Sequence, residues 1–376
     1  MAKHMENALN IGILQDERET ILVVDDNPTN LRFLQEILKT DYKVYASPSG
    51  ERALTFLEKR IPDLILLDIE MPGMDGYELI SHLKRDSRWS EIPVIFLTAQ
   101  EGRDKEQQAF TLGAQDYILK PISYGVVLSR VGLHMELETY KKRLEHLVEI
   151  KTFELQRTQD SVLDIISNMT AYRDNETGAH IKRTTYYSEV ICGRLMELRQ
   201  PGYNIPQEMA DNIAKSSKLH DIGKIGVPDS ILLKPDRLTP EEFDVIKQHT
   251  VLGGQIMDDT MENLGTESSM FLRMGREIAA NHHEKWDGSG YPYGVSGDGI
   301  PLSARIMAIA DVYDALISKR PYKRAFTHDE SIGIIRKDAG THFDPHLVDF
   351  CVPIFPAFGE IAEQYRDEHY VKKMLQ

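Results

Sequence analysis

From residue 173 onward, imidazoles and carboxylates recur in this chain in tight clusters whose spacing suits metal ions. RDNETGAHIKRT places Glu176 four residues before His180, which on a helix sets both side chains on one face, able to share a metal. HDIGKIG joins His220 to Asp221, with Lys224 close behind. At a helix end such a pair gives its imidazole to one ion and bridges two ions through the carboxylate. His249 follows Lys247 inside an otherwise amphipathic helix. NHHEKWDGSGYPYG supplies His282 and His283 ahead of a glycine-rich turn, where backbone approaches a ligand closely. Asp311 interrupts the apolar stretch IMAIADVYDAL, and a carboxylate buried there needs a partner, because unpaired burial of charge is costly. A metal ion is one such partner. A lone helical histidine is more often a surface or hydrogen-bonded core residue, and His134, His146, His328, His342 and His346 are read that way.

A second constellation lies nearer the N-terminus: Asp25, Asp26, Asp68, Thr98 and Lys120. Carboxylates at converging strand ends suit a hard cation such as Mg²⁺, which prefers oxygen ligands. Such a cation would neutralise a phosphoryl group while Asp68 attacks it as the nucleophile. Lys120 would oppose a point charge to the new acyl phosphate, and Thr98 would hydrogen-bond it. Any one of these acids alone would be a solvated turn or helix cap.

The elements that must position these residues differ between the two regions. ILVVDD (21–26), LILLD (64–68), PVIFLTA (93–99) and YILKP (117–121) are short apolar runs alternating with helical stretches, the pattern of βαβ units around a parallel sheet. Each run delivers polar residues at its C-terminal end, where open α/β sheets place their sites. From about 123 to 169 turn signals vanish. Leu137, Leu144, Val148, Leu155, Val162, Ile165 and Met169 then form a three-four seam, broken by Lys151 and Thr158. That seam is equally consistent with a homodimer through the helix and with a helix packed on its own domains. Beyond Met169 strand signals are lost, and Gly/Pro-rich breaks at 201–206, 226–228, 234–240, 287–301 and 319–322 separate helices. The expected architecture is multidomain: a flexible start (1–18), an α/β doubly wound parallel-sheet domain (19–133), a long helix (134–168) and an all-α domain (169–376).

Composition narrows the function classes. A net charge of −15 without a basic block argues against DNA or RNA binding, which draws on clustered cations. No apolar run approaches the roughly 18 residues of a membrane helix, and no charged-then-apolar leader is present. The expectation is a cytoplasmic protein without membrane insertion. Cys192 and Cys351 indicate no disulfide framework and read as small apolar helix residues.

Residues 20 to about 135 resemble the receiver domain of response regulators, in VVDDN, LLDIEMPGMDG, FLTA and DYILKP. The resemblance implies phosphorylation of Asp68 by a cognate sensor histidine kinase and Mg²⁺ held by Asp25 and Asp26. It also implies switch roles for Thr98 and Lys120, a rotamer change at Tyr117 and a cis Lys120–Pro121 bond. Residues from about 165 to 350 resemble the HD-GYP phosphodiesterases, in HDIGK and HHEKWDGSGYP together with VPDSILLKP, LTPEEF, KRPYK and GTHFDP. Asp236 stands where that family commonly has glycine. By this likeness Glu176, His180, His220, Asp221, His249, His282, His283 and Asp311 would hold two or three divalent ions, most often iron and sometimes manganese. Glu176 leans towards three. Lys224, Arg320 and Lys323 would contact substrate phosphate, and Tyr291 would lie beside the ligand. The implied reaction is hydrolysis of cyclic di-GMP to pGpG, and onward to GMP, by a metal-activated hydroxide, with His220, Asp221 and Lys224 catalytic. Hydrolysis of pGpG or another cyclic dinucleotide, and a cyclic di-GMP-binding adaptor without turnover, are the alternatives.

Overall fold

ILVV, LILL and VIFL are buried along their whole length, as strands covered by helices on both faces must be. They lie in the first of two units into which the computed structural model divides, residues 1–153 and 154–376. The structure describes residues 18–99, 103–174, 178–265, 269–318 and 324–366, the side chains of 103–106 excepted. β1 (Thr20–Val24), β2 (Lys43–Ser47), β3 (Leu64–Asp68), β4 (Val94–Thr98) and β5 (Asp116–Leu119) form a five-stranded parallel sheet in the order β2-β1-β3-β4-β5. The edge strand β2 is absent from the runs read above. Its KVYAS is mostly half-exposed and lacks a continuous apolar stretch.

Helices α1 (Pro28–Leu38), α2 (Gly50–Leu57), α3 (Gly76–Arg85) and α4 (Arg103–Thr111) follow the strands, and α5 (Tyr124–Arg173) follows β5. Leu31, Leu34 and Leu38 pack with Val127, Val131 and Met135 on one layer of core; Ala53, Leu57, Leu79, Ile80 and Leu83 pack in the other. Each such buried Leu, Ile or Val contributes about 1.5–3 kcal/mol by leaving water. The register pairs Val24 with Leu67, Asp68 with Leu97 and Thr98 with Leu119, bringing the polar strand ends to one edge.

The second unit is helical: α6 (Gly178–Leu198), α7 (Gln207–Ser217), a 3-10 turn (Ile222–Gly226), α8 (Asp229–Leu232), α9 (Pro240–Leu264), α10 (Met270–Asn281), α11 (Leu302–Ile317), α12 (His328–Lys337), α13 (Pro345–Cys351) and α14 (Phe355–Gln364). The sequence breaks mark real helix starts. Pro206, Pro228 and Pro301 are N-caps, and Thr239 and Thr327 close capping boxes with Glu242 and Glu330. The break at 319–322 lies outside the described residues. Tyr187, Ile191, Ile306, Tyr313, Leu347 and Phe358 share one core, with Cys192 and Cys351 buried in it as free thiols.

The helix expected over 134–168 is the middle of α5, and the two units divide within it, after Phe153. Leu137, Leu144, Val148, Leu155, Val162, Ile165 and Met169 are all exposed along it. Of the segment read as a flexible start, residues 1–17 lie outside the described residues, and Arg18 donates from Nη1 to the Lys39 carbonyl at 2.9 Å. Among the described residues no helix is long and apolar enough to cross a membrane.

Candidate functional site

Helix α6, the segment after α7, α9, the end of α10 and α11 each bring one or two polar side chains to a common centre. Asp221 stands in the middle. Its carboxylate oxygens lie 3.2 Å from His220 Nε2, 3.3 Å from His249 Nε2 and 3.8 Å from His282 Nε2. Asp221, His249, His282 and His283 form one group of donors within 4.8 Å of one another; His180, His220 and Asp221 form a second. Both groups share Asp221, the arrangement of a carboxylate bridging two ions. Asp311 Oδ1 lies 3.8 Å from His180 Nε2.

The imidazoles are oriented from behind. Nδ1–H of His220 donates to Ser217 O at 2.8 Å, that of His249 to Ile246 O at 2.7 Å, and that of His282 to Ile278 O at 2.9 Å. Nδ1–H of His180 donates to the Asp314 carboxylate at 2.9 Å. A carbonyl or carboxylate acceptor fixes the proton on Nδ1 and leaves the Nε2 lone pair for a metal. Two of these nitrogens, His249 Nε2 and His282 Nε2, are buried with no hydrogen-bond partner among the described residues. His180 Nε2 and His220 Nε2 face each other at 3.4 Å. Buried orphans are rare in native proteins, and cations held in the two donor groups would give these nitrogens a partner. The residues present therefore fit a metal cluster, and the nitrogen-rich donor set suits iron, manganese or zinc better than magnesium.

Backbone contact sets the spacing. Gly223, in the 3-10 turn after Asp221, lies so close to α9 that a Cβ would stand 1.8 Å from the His249 carbonyl oxygen. No residue but glycine permits that approach. In the GSGYP loop, a Cβ on Gly290 would stand 2.3 Å from Lys285 N, so the loop folds onto its own stem. The buried Glu284 carboxylate accepts from Tyr293 N at 2.7 Å and Val295 N at 3.1 Å, and Tyr291 is thereby held with its ring 4.9 Å from that of His283.

The sheet edge holds a different constellation. Asp25, Asp26 and Asp68 offer oxygens within 4.8 Å of one another. Lys120 Nζ lies 2.7 Å from Asp68 Oδ2 and 3.2 Å from Asp25 Oδ2. Asn30 Nδ2 donates to both Asp25 oxygens, at 3.1 and 2.9 Å. Thr98 is buried at the end of β4, Tyr117 sits 6.1 Å from the Phe110 ring, and Lys120–Pro121 is cis.

Comparison with known proteins matches both regions. The response regulator receiver domain profile covers residues 21–131 and the HD domain profile residues 164–347. A Vibrio cholerae protein named "Probable cyclic di-GMP phosphodiesterase" is 43% identical over 93% of this chain and 80% of its own. The "Cyclic di-GMP phosphodiesterase response regulator RpfG" of Xanthomonas campestris is 35% identical over 88% of this chain and 86% of its own. A "Cyclic di-GMP phosphodiesterase" of Thermotoga maritima is 32% identical over 93% and 94%. The chain belongs to the HD-GYP response regulators.

In this HD-GYP protein the electrostatics of the two regions diverge. Burial lowers His249, and burial with the neighbouring His283 holds His282 well below the usual imidazole range. Burial, reinforced by His249, takes His283 down to about 3. Burial alone would raise Asp221, but Lys224 and His220 overcome it and hold the carboxylate well below its ordinary value. Asp68 moves the other way, raised chiefly by burial and by the charge on Asp25.

Several HD-GYP residues escaped the sequence reading. The fully enclosed carboxylate of α11 is Asp314, not Asp311, whose side chain keeps 19% of its exposure. Asp314 pairs with Arg183 at 2.6 Å and anchors His180. One helical turn separates the two aspartates, and the apolar string around them hides which one faces the core. Phe243 and Lys247 stand beside Tyr291, with Lys247 Nζ 5.8 Å from its ring centre. Of the histidines read as non-ligands, His134 pairs with Asp116, His328 with the Tyr313 hydroxyl, His342 lies on Phe343, His346 neighbours Tyr203 and His146 is exposed on α5. None belongs to either metal group. Glu176, Arg320 and Lys323 lie outside the described residues.

Proposed function

We propose that this protein is a response regulator whose helical unit hydrolyses cyclic di-GMP to pGpG, and onward to GMP, under control of phosphorylation at Asp68. The observation that carries the reading is the double donor group sharing Asp221, with the buried Nε2 atoms of His249 and His282 unpartnered among the described residues. Two or three divalent ions, iron first and manganese next, would be held there by His180, His220, Asp221, His249, His282, His283, Asp311 and Glu176. When bound, the ions supply Lewis acidity and a water made acidic enough to yield hydroxide at neutral pH.

The chain's own groups do the rest. The Lys224 ammonium, 2.7 Å from Asp221 Oδ2, opposes charge developing on the phosphoryl oxygens. The backbone carbonyls behind His220, His249 and His282 and the Asp314 carboxylate behind His180 hold the Nε2 atoms directed inward. Tyr291 would lie beside the ligand, and Arg320 and Lys323, with Lys224, would contact substrate phosphate. In the receiver, which spans 19–133, Asp25 and Asp26 hold Mg²⁺, Thr98 and Lys120 receive the acyl phosphate, and Tyr117 changes rotamer. The phosphodonor is a cognate sensor histidine kinase in the cytoplasm. The segment 134–168 carries the change to the phosphodiesterase domain (169–376), and its exposed apolar seam is covered by a second copy in a homodimer.

The test is anaerobic purification with metal analysis and nucleotide assays on one sample. Two or more transition ions per chain with cyclic di-GMP turned over faster than pGpG or other cyclic dinucleotides supports the reading. Faster turnover of another nucleotide reassigns the substrate, and tight binding of cyclic di-GMP without turnover establishes an adaptor.

A further inference from the structure

The last residue of α5, Arg173, saturates its guanidinium on the segment that carries Lys224. A guanidinium has five N–H groups. Nε and Nη2 donate to Asp229 Oδ1 at 3.0 and 2.7 Å, Nη2 also donates to Val227 O at 2.8 Å, and Nη1 donates to Lys224 O at 3.1 Å and to Ile225 O. The next residue, Asp174, pairs with the Lys224 ammonium. Lys224 thus sits between two carboxylates, Asp174 and Asp221, with side chains only 13–17% exposed.

The turn is confined from two directions by different forces. On the α9 side it is stopped by van der Waals contact, Gly223 against the His249 carbonyl. Contact of that kind resists inward movement but does not resist withdrawal. On the α5 side, charge-assisted hydrogen bonds from a planar fork resist withdrawal. The Asp229 end of the fork is 65% exposed, where an ion pair is worth little. The three carbonyl bonds therefore carry the positioning.

We propose that Arg173 and Asp174 are positioning residues of the hydrolytic site: Arg173 fixes the backbone from Lys224 to Val227, and Asp174 fixes the Lys224 ammonium against Asp221. Neither touches substrate. Because both stand at the end of α5, a displacement of that end moves Lys224, and this makes the helix terminus part of the site's frame. The catalytic readout rests on the phosphodiesterase reading; the structural readout does not.

The experiment compares full-length wild type, Arg173→Ala, Arg173→Lys and Asp174→Asn, each also combined with Lys224→Ala and loaded with Mn²⁺. In Arg173→Ala, kcat per Mn²⁺-loaded chain falls about 10–100-fold, the range for groups that orient a metal site's ligands, while Mn²⁺ per chain holds. Backbone amides of residues 222–228 exchange with solvent at least about tenfold faster, because the bonds restraining them are gone. Arg173→Lys recovers little, since one ammonium does not span three carbonyls. With Lys224→Ala already in place, Arg173→Ala and Asp174→Asn each change kcat less than about twofold, the non-additivity of residues acting through one group. Unchanged kcat in both single variants, or full additivity with Lys224→Ala, overturns the proposal. If wild type turns over no cyclic di-GMP, the phosphodiesterase reading fails by itself. Amide exchange then decides: unchanged protection of 222–228 in Arg173→Ala overturns the positioning role, and faster exchange upholds it.

Discussion

At the sheet edge an ammonium already stands between the carboxylates of Asp25 and Asp68, whereas among the helices imidazoles surround Asp221 with two ring nitrogens unpartnered among the described residues. In the first arrangement Lys120 pairs with two of the three carboxylates, Asp25 and Asp68, so part of the charge is met by the protein itself. It suits a cation and a phosphoryl group that come and go. In the second, Lys224 stands at one corner, 2.7 Å from Asp221 Oδ2, and the imidazoles face one another around that carboxylate. Burying that many imidazoles around one carboxylate is costly without partners, and metal ions are partners that this donor set fits. Oxygen donors on strand ends and mostly nitrogen donors on helices thus distinguish the two donor clusters.

The sharpest way to break this contrast is to remove the shared bridge. His220→Ala with Asp221→Ala lowers kcat for cyclic di-GMP by about 10³-fold or more, the upper scale for lost charge stabilisation, and metal analysis finds fewer ions per chain. If ion content and turnover both survive, the retained site is elsewhere. Lys224→Ala separates charge from metal: kcat falls on the order of 10²-fold while ion content is unchanged. Asp314→Asn probes the support behind His180, and ion affinity in a Mn²⁺ titration falls about 10–100-fold, as for other outer groups that orient a ligand.

Chelation sharpens the comparison directly. Calorimetry of the ion-stripped protein finds the helical unit's transition lowered by about 5–10 °C, the scale of losing a ligand well above its Kd, with the receiver transition nearly unmoved because Lys120 remains. The smallest effect is in pH. Burial takes His283 to about 3 in the fold, against the ordinary 6.5 of an unfolded chain. Above 6.5 neither state takes up this proton. Below it the unfolded chain does and the fold does not, so stability of the ion-free protein declines from pH 6.5 towards 3. Thermal melts across that window that stay flat would contradict a depressed His283.

The central strands were legible because burial on both faces forces unbroken apolar runs, and β2 was not, because an edge strand half in water needs no such run. His180, His220, Asp221, His249, His282 and His283 were legible as types and spacings, and the fold brings them together from separate elements. Asp314, Arg183, Glu284, Arg173 and Asp174 were not. Charged residues are assigned to the surface by default; their importance lies in partners far along the chain, such as Asp314 reaching His180 and Arg173 reaching Val227. Periodicity carries no information about such pairs.

The contact at Gly223 has a consequence for the spacing of the site. Two main chains touch there with nothing between them but hydrogen, so the gap separating the Asp221 corner from His249 is gauged by peptide geometry and not by adjustable rotamers. That contact sets a floor on how closely the turn carrying Asp221 approaches the helix carrying His249, so shifts of other side chains around the site leave this separation in place.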